Sequence, residues 1–140
     1  KEEEEETSPE TVEHTIPEFL GEGSFGTVSK VWDATRGAFV AIKEPKTEDA
    51  KKTTRREAVF LRALGPHDGL IGYLEYDEAT STLTLPYYGR SLESMIADHD
   101  ARLRSPAYRH KRYCELFSAI GFLHECGVVH NDIKPANMLV

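Results

Sequence analysis

The 140 residues suffice for one domain with its own core, and 39% hydrophobic with 29% charged residues is an ordinary globular composition. The net charge of −7 is uneven: Lys1 to Pro9 holds five Glu against one Lys, leaving −3 for the rest. No strongly basic domain exists, so nucleic-acid binding gains nothing from bulk charge, and with no apolar run near ~18 residues no membrane span is expected.

The acidic start lacks the basic-then-apolar order of a signal peptide. With no signal peptide and no span, the expected location is cytoplasmic or nuclear. The chain begins with Lys rather than Met and reads as a piece of a longer or processed polypeptide. Cys114 and Cys126 lie twelve apart, match no metal-ligand spacing and are too few for a disulfide framework. Buried free thiols are expected of them.

Residues 1–17 form an acidic tail that cannot bury apolar surface and is expected to be disordered. Ser8-Pro9 reads as a phosphorylation site or as plain solvated tail. From Glu18 the texture changes. Phe19-Leu20 leads into Gly21-Glu22-Gly23-Ser24-Phe25-Gly26, Val28 to Trp32 alternates, Arg36-Gly37 makes a turn, and Ala38 to Lys43 is β-rich. Three consecutive antiparallel strands are predicted. Pro45 to Thr54 reads as a polar loop, with Thr53 or Thr54 capping a helix from Arg55 to Leu64 that Gly65-Pro66 stops. Two more strands are predicted near Leu70 to Asp77 and Thr82 to Leu85, around a turn at Ala79-Thr80-Ser81.

Beyond them the chain turns helical. Ser91 caps a short helix, Leu92 to Asp98. Ser105-Pro106 opens a longer one through Glu125, with Pro at its first position. Tyr113, Leu116, Phe117, Ile120 and Leu123 recur at three and four, the spacing of one buried face. Gly127 closes this helix, and Val128-Val129 leads into His130-Asn131-Asp132-Ile133-Lys134-Pro135-Ala136-Asn137. No internal repeat is present.

Three stretches carry chemistry. Gly21-x-Gly23-x-x-Gly26 alone fits a dinucleotide fold, a phosphate-binding hairpin or a plain turn. A dinucleotide fold needs a helix straight after the glycines, whereas Thr27-Val28-Ser29-Lys30-Val31-Trp32 is strand-like. No Gly-Lys-Ser/Thr ends the loop, which rules out a Walker A loop. Glycines in a hairpin let backbone N–H groups approach phosphate oxygens. Next, Val40-Ala41-Ile42-Lys43 puts Ala41 and Lys43 on one strand face. Glu57 shares the apolar face of the predicted helix with Leu61 and Leu64. A carboxylate facing a core needs a cation, and Lys43 is the natural one, whereas Arg55, Arg56 and Arg62 read as a solvated face. Finally, Asp132, Lys134 and Asn137 combine an acceptor for a hydroxyl proton, a cation for a phosphate and an oxygen for a metal ion, the parts phosphoryl transfer needs.

Together these stretches resemble the eukaryotic protein kinase family. The family's glycine loop ending in Val is met by Gly21 to Val28, its Val-Ala-Ile-Lys by residues 40–43, its helix Glu by Glu57, and its catalytic loop by His130 to Asn137. The resemblance covers Phe19 to Val140. It implies an α+β fold: a protein-kinase-like small lobe of five antiparallel strands and one helix at 18–85, a hinge at 86–91, and the beginning of a helical large lobe at 92–140.

The resemblance also implies roles. Asp132 is the catalytic base, Lys134 steadies the transferred phosphoryl group, and Asn137 ligates magnesium. Lys43 holds the α- and β-phosphates of ATP, locked by Glu57. Leu20, Val28 and Ala41 roof the adenine pocket and Leu139 floors it. Leu85 is the gatekeeper residue. Pro86 offers a backbone carbonyl to adenine and Tyr88 a backbone N–H. His130 supports the loop rather than a metal. Lys134-Pro135 is the serine/threonine form, so the implied partners are ATP, Mg2+ and a protein substrate with Ser or Thr hydroxyls. A small-molecule kinase and a non-catalytic nucleotide-binding or scaffolding fragment remain the rival readings. Asn131 departs from the family's Arg, which argues against activation by a phosphorylated loop. Family order puts the Asp-Phe-Gly metal site beyond Val140, so weak or no transfer and poor stability are expected of these 140 residues alone. The cluster Arg102, Arg104, Arg109, Lys111 and Arg112 reads as a solvated surface or as a dock for an acidic partner.

Overall fold

A computed structural model of the chain describes residues 16–23 and 25–140. The acidic tail through Thr15, with Ser8-Pro9, and Ser24 of the glycine loop lie outside the described residues. The elements run β1 (Glu18–Gly23), β2 (Gly26–Asp33), β3 (Ala38–Glu44), α1 (Glu48–Leu64), β4 (Glu75–Asp77), β5 (Thr82–Pro86), α2 (Leu92–Ala97) and α3 (Pro106–Glu125). Short 3-10 turns cover Ala101–Arg104 and Pro135–Asn137. The fold is α+β. Among the described residues no helix is long and apolar enough to cross a membrane. The chain divides into two compact units, one holding residues up to 63 with 73–87, the other 64–72 with 88–140.

The first unit is a five-stranded antiparallel sheet in the order β1-β2-β3-β5-β4, plus α1. The hairpin β1–β2 turns at the glycines, and Gly23 pairs with Gly26. The β2–β3 ladder is regular from Thr27 opposite Glu44 to Asp33 opposite Ala38. Val40 and Leu83, on the inner strands β3 and β5, are buried, as expected of branched apolar residues in the middle of a sheet.

Helix α1 starts seven residues earlier than the reading from Arg55. Its cap is Thr47, whose hydroxyl accepts from Ala50 N at 3.1 Å, and Glu48 and Asp49 fill the first turn, where the helix dipole favours acids. Thr53 and Thr54 do not cap. Thr53 Oγ1 donates back to the carbonyl of Asp49 at 3.0 Å, and Thr54 is buried mid-helix beside Ala50 and Ala58 at spacings of four. Thr47→Ala is expected to cost about 1 kcal/mol, read from the urea midpoint at unchanged slope.

The second unit packs the 64–72 loop against α3. The expected strand from Leu70 is only Glu75–Asp77. Ahead of it, His67 stacks on Phe122 at 4.6 Å between ring centroids, and a side chain at Gly69 would come within 2.8 Å of Ala119 Cβ. Gly72 is the breaker inside that apolar run, and Gly69 stands just before it. Helix α3 has the expected ends: Ser105 Oγ accepts from Tyr108 N at 3.3 Å, and Pro106 is its first residue. Its buried stripe is narrower than expected. Ala119 and Leu123 are buried and Leu116 and Ile120 half-buried, but Tyr113 is 57% and Phe117 68% exposed. The small Ala119, which the apolar count passed over, is the close-contact point, and Tyr113 and Phe117 lie on the margin of the stripe. Cys114 and Cys126 are free but exposed, not buried; Cys114 neighbours Tyr113 on the open side, and Cys126 caps the helix end.

Asp100 starts the first 3-10 turn. It accepts from Arg102 N at 2.9 Å and from the Arg102 guanidinium at 3.0 and 2.8 Å. That guanidinium holds the Asp100 carboxyl down to about 2. A carboxylate depressed on folding contributes stability above its unfolded value of ~3.9 and loses it as pH falls toward the folded value. Asp100 should therefore add to a loss of melting temperature between about pH 4 and 2. Asp33, Glu48 and Asp77 are lowered by their own partners and act in the same direction, so Asp100→Asn should make that limb shallower without abolishing it; an unchanged limb would show that the Arg102 contacts do not persist in solution.

Candidate active site

In the first unit, the β2–β3 register sets Val28 opposite Lys43, and the β3–β5 register sets Ala41 opposite Leu85 and Val40 opposite Pro86. Lys43 Nζ donates to Glu57 Oε2 of α1 at 2.5 Å. The pair is 20% and 35% exposed, so it is reachable by an anion from solvent yet held in place. Glu57, Leu61 and Leu64 are all half-buried. Leu20 falls in a register break of the β1–β2 ladder between Phe19 and Gly21, a bulge of the kind that re-aims a side chain.

Phe25, which the sequence reading passed over, lies over Lys43: Nζ is 5.9 Å from the ring centroid. An aromatic ring between glycines at a hairpin tip, 53% exposed, is the signal that marks it. Arg55 pairs with Glu78, and Arg56 and Arg62 are exposed, as a solvated face requires.

The three glycines differ in what the fold asks of them. Gly26 has φ +123°, and a Cβ there would lie 2.0 Å from the carbonyl oxygen of Glu44. A Cβ on Gly21 or Gly23 would meet nothing within 4 Å. Neither has a positive φ. Glycine inside a strand is destabilising by roughly 0.5–1 kcal/mol relative to Ala, and nothing within the described residues accounts for it at these two positions.

In the second unit, Asp132, Lys134 and Asn137 converge. Asn137 Nδ2 donates to Asp132 Oδ2 at 3.0 Å and to the Asp132 carbonyl at 2.9 Å. Lys134 Nζ is 3.5 Å from Asp132 Oδ2. His130 Nδ1 accepts from Asp132 N at 3.1 Å, the supporting contact expected of it. Asn131 has φ +62°, a left-handed conformation that a short polar side chain tolerates. Val140 N donates to the Arg90 carbonyl at 3.0 Å, Leu92 N to Met138 at 2.7 Å, and Leu139 bridges Ser91. These bonds pin the end of the loop to the 90–92 segment. The hydroxyl of Tyr88 accepts from Gly72 N at 2.8 Å.

The donor chemistry fits magnesium. Asn137 spends its amide nitrogen on Asp132, and its carbonyl oxygen accepts no hydrogen bond among the described residues. Asp132 Oδ1 is likewise without a partner among them. Hard oxygen donors are what this ion takes. No group of three or more His, Cys, Asp or Glu stands together among the described residues.

A glycine hairpin, a lysine locked by a helix glutamate, and an Asp-Lys-Asn loop are three separate signals. The comparisons agree with them. The family model described as protein kinase domain matches residues 14–140. The chain is 34% identical over 132 residues to mitogen-activated protein kinase 15 of Caenorhabditis elegans, covering 86% of this chain and 27% of that protein. It is 30% identical over 129 residues to extracellular signal-regulated kinase 7 of Drosophila melanogaster, covering 86% and 14%. It is 30% identical over 132 residues to cyclin-dependent kinase 7 of Xenopus laevis, covering 88% and 37%. The chain thus spans well under half the length of these relatives. The matched span takes in most of the chain, and the chain belongs to the protein kinase domain family.

Proposed function

We propose that the protein transfers the γ-phosphoryl group of ATP to Ser or Thr hydroxyls of a protein substrate. The observation that carries the reading is the Lys43–Glu57 pair at 2.5 Å, set beside the glycine hairpin. Glu57 fixes the ammonium in one place. Two of its three N–H donors remain for phosphate oxygens. A Cβ on Gly21 or Gly23 would meet open space, so no side chain bars an anion from the backbone there. In the first unit, Leu20, Val28 and Ala41 offer apolar surface to adenine and Pro86 a carbonyl. In the second, Leu139 offers apolar surface and Tyr88 an N–H that donates no hydrogen bond among the described residues.

Asp132 takes the proton of the substrate hydroxyl at its free Oδ1, while Asn137 and Lys134 hold Oδ2 in place. The hydroxyl oxygen bonds to the γ-phosphorus, the bond to the bridging oxygen breaks, and ADP leaves. Lys134 balances charge on the group in transfer. Magnesium, held by the Asn137 oxygen, neutralises phosphate charge when bound. Lys134-Pro135, and a relative named as a mitogen-activated protein kinase, favour a protein hydroxyl over a small molecule.

Lys43→Met in the full-length protein should weaken ATP binding by about 10- to 150-fold, the worth of one charge-assisted hydrogen bond. Its unfolding free energy should change by no more than about 1 kcal/mol, because the pair is partly solvated. Titration calorimetry with ATP and magnesium, alongside urea unfolding, reads both. Unchanged affinity would remove the phosphate role from Lys43. ATP binding without transfer to any protein would favour the non-catalytic reading.

A further inference from the structure

The segment 99–112 carries five Lys and Arg against one Asp, in a chain of net charge −7. These cations are not equivalent. Arg102 is spent on Asp100 and lies over Tyr108 at 6.0 Å. Arg112 is spent on Glu115 at 3.0 Å and lies over the same ring at 5.3 Å. Arg109 uses one nitrogen, NH1, on the carbonyls of Leu103 and Arg104 at 2.7 and 3.3 Å. Its other donors are unspent among the described residues. Arg104 donates no side-chain hydrogen bond among them at all, and is exposed.

Arg104 and Arg109 stand on the wall of an open groove of about 340 Å³, completed by Ile96, His99, Asp100 and Leu103. Asp100, the one acid in the wall, has both carboxylate oxygens taken by Arg102. The first turn of α3, which begins beside Arg104, has no acidic residue to offset the positive end of its dipole. Ile96 is half exposed and adds apolar surface.

We propose that this groove docks an acidic peptide segment of a partner protein, its carboxylates on Arg104 and Arg109 and an apolar side chain on Ile96 and Leu103. A planar guanidinium with free donors is the group that takes a carboxylate in two-point fashion. A groove lined by two guanidiniums and by the aliphatic side chains of Ile96 and Leu103 matches an acidic-apolar peptide segment. The site is independent of phosphoryl transfer and rests on none of the residues assigned to it.

The test is fluorescence anisotropy of a labelled twelve-residue Glu/Leu peptide with the full-length protein. Expected are saturable binding, a loss of at least about tenfold in Arg104→Glu, and a few-fold loss in Ile96→Ala. Arg104 makes no hydrogen bond that its replacement would break, so this variant keeps its fold, and ATP affinity serves as the check. Arg109→Glu should add to the loss. Arg55→Glu with Arg56→Glu, on exposed α1, should change nothing. An unchanged affinity in Arg104→Glu overturns the proposal. So does an equal loss in the α1 variant, which would mean charge without a site, or full displacement of the peptide by an equimolar RNA oligonucleotide, which would mean a general polyanion surface.

Discussion

Asp132→Asn in the full-length protein should lower the rate of phosphoryl transfer to a protein hydroxyl by about 10²- to 10⁴-fold, the usual worth of a positioned general base. ATP affinity and melting temperature should stay as they are. The geometry separates the three readouts. Asn is the same size as Asp and keeps an oxygen for the Asn137 amide, so the loop retains its internal bond. The carboxylate is 64% exposed and Lys134 54% exposed, so their pairing contributes little to stability. Only the basic oxygen is lost. Single-turnover transfer of labelled phosphate, with nucleotide binding measured on the same preparation, is the assay. A variant that kept its transfer rate would take the base role from Asp132. A variant that lost ATP binding as well would show that the loop orders the nucleotide site rather than the proton.

Much of this arrangement was legible in the residues, and the places where it was not have physical causes. The glycine hairpin and Lys43 were readable because strand alternation fixes which side chains share a face. Glu57 was readable because a carboxylate on an apolar helix stripe demands a cation. Helix α1 was misplaced at its start because three threonines compete for one role: Thr47, Thr53 and Thr54 all have cap chemistry, and the pair of acids after Thr47 decides between them. The covered stripe of α3 is narrower than its large apolar residues suggest, because a small residue decides which face is covered. Ala119 admits the Gly69 backbone closely, and that contact, not the aromatic count, fixes the face that is covered. Phe25 was missed because an aromatic at a turn has no periodicity to betray it. Its contact with Lys43 spans eighteen residues of chain and exists only once the β2–β3 ladder is in register.

The glycines of the hairpin give the sharpest separation of fold from function. Gly26→Ala should destabilise the protein by about 3 kcal/mol: a non-glycine residue at φ +123° costs about 1–3 kcal/mol by itself, and its Cβ would drive into the Glu44 carbonyl at 2.0 Å. The Glu44 carbonyl and Pro45 Cα, at 2.0 and 2.8 Å, are both backbone atoms, so relief requires β2 and β3 to part where the ladder begins. Gly21→Ala should do the opposite. Its Cβ meets nothing and its φ is ordinary, so removal of a flexible strand residue should stabilise by roughly 0.5–1 kcal/mol. The same methyl should cost at least about tenfold in ATP affinity, about 1.4 kcal/mol, because it stands where the phosphate must approach the backbone. Urea unfolding and ATP titration on the two variants give four numbers. If Gly21→Ala gained stability and kept its affinity, the open space over β1 would not belong to a phosphate, and the glycine loop would be a turn and nothing more. Opposite signs in stability, with affinity lost in the more stable variant, would mean that a structural cost at Gly21 is retained for the ligand.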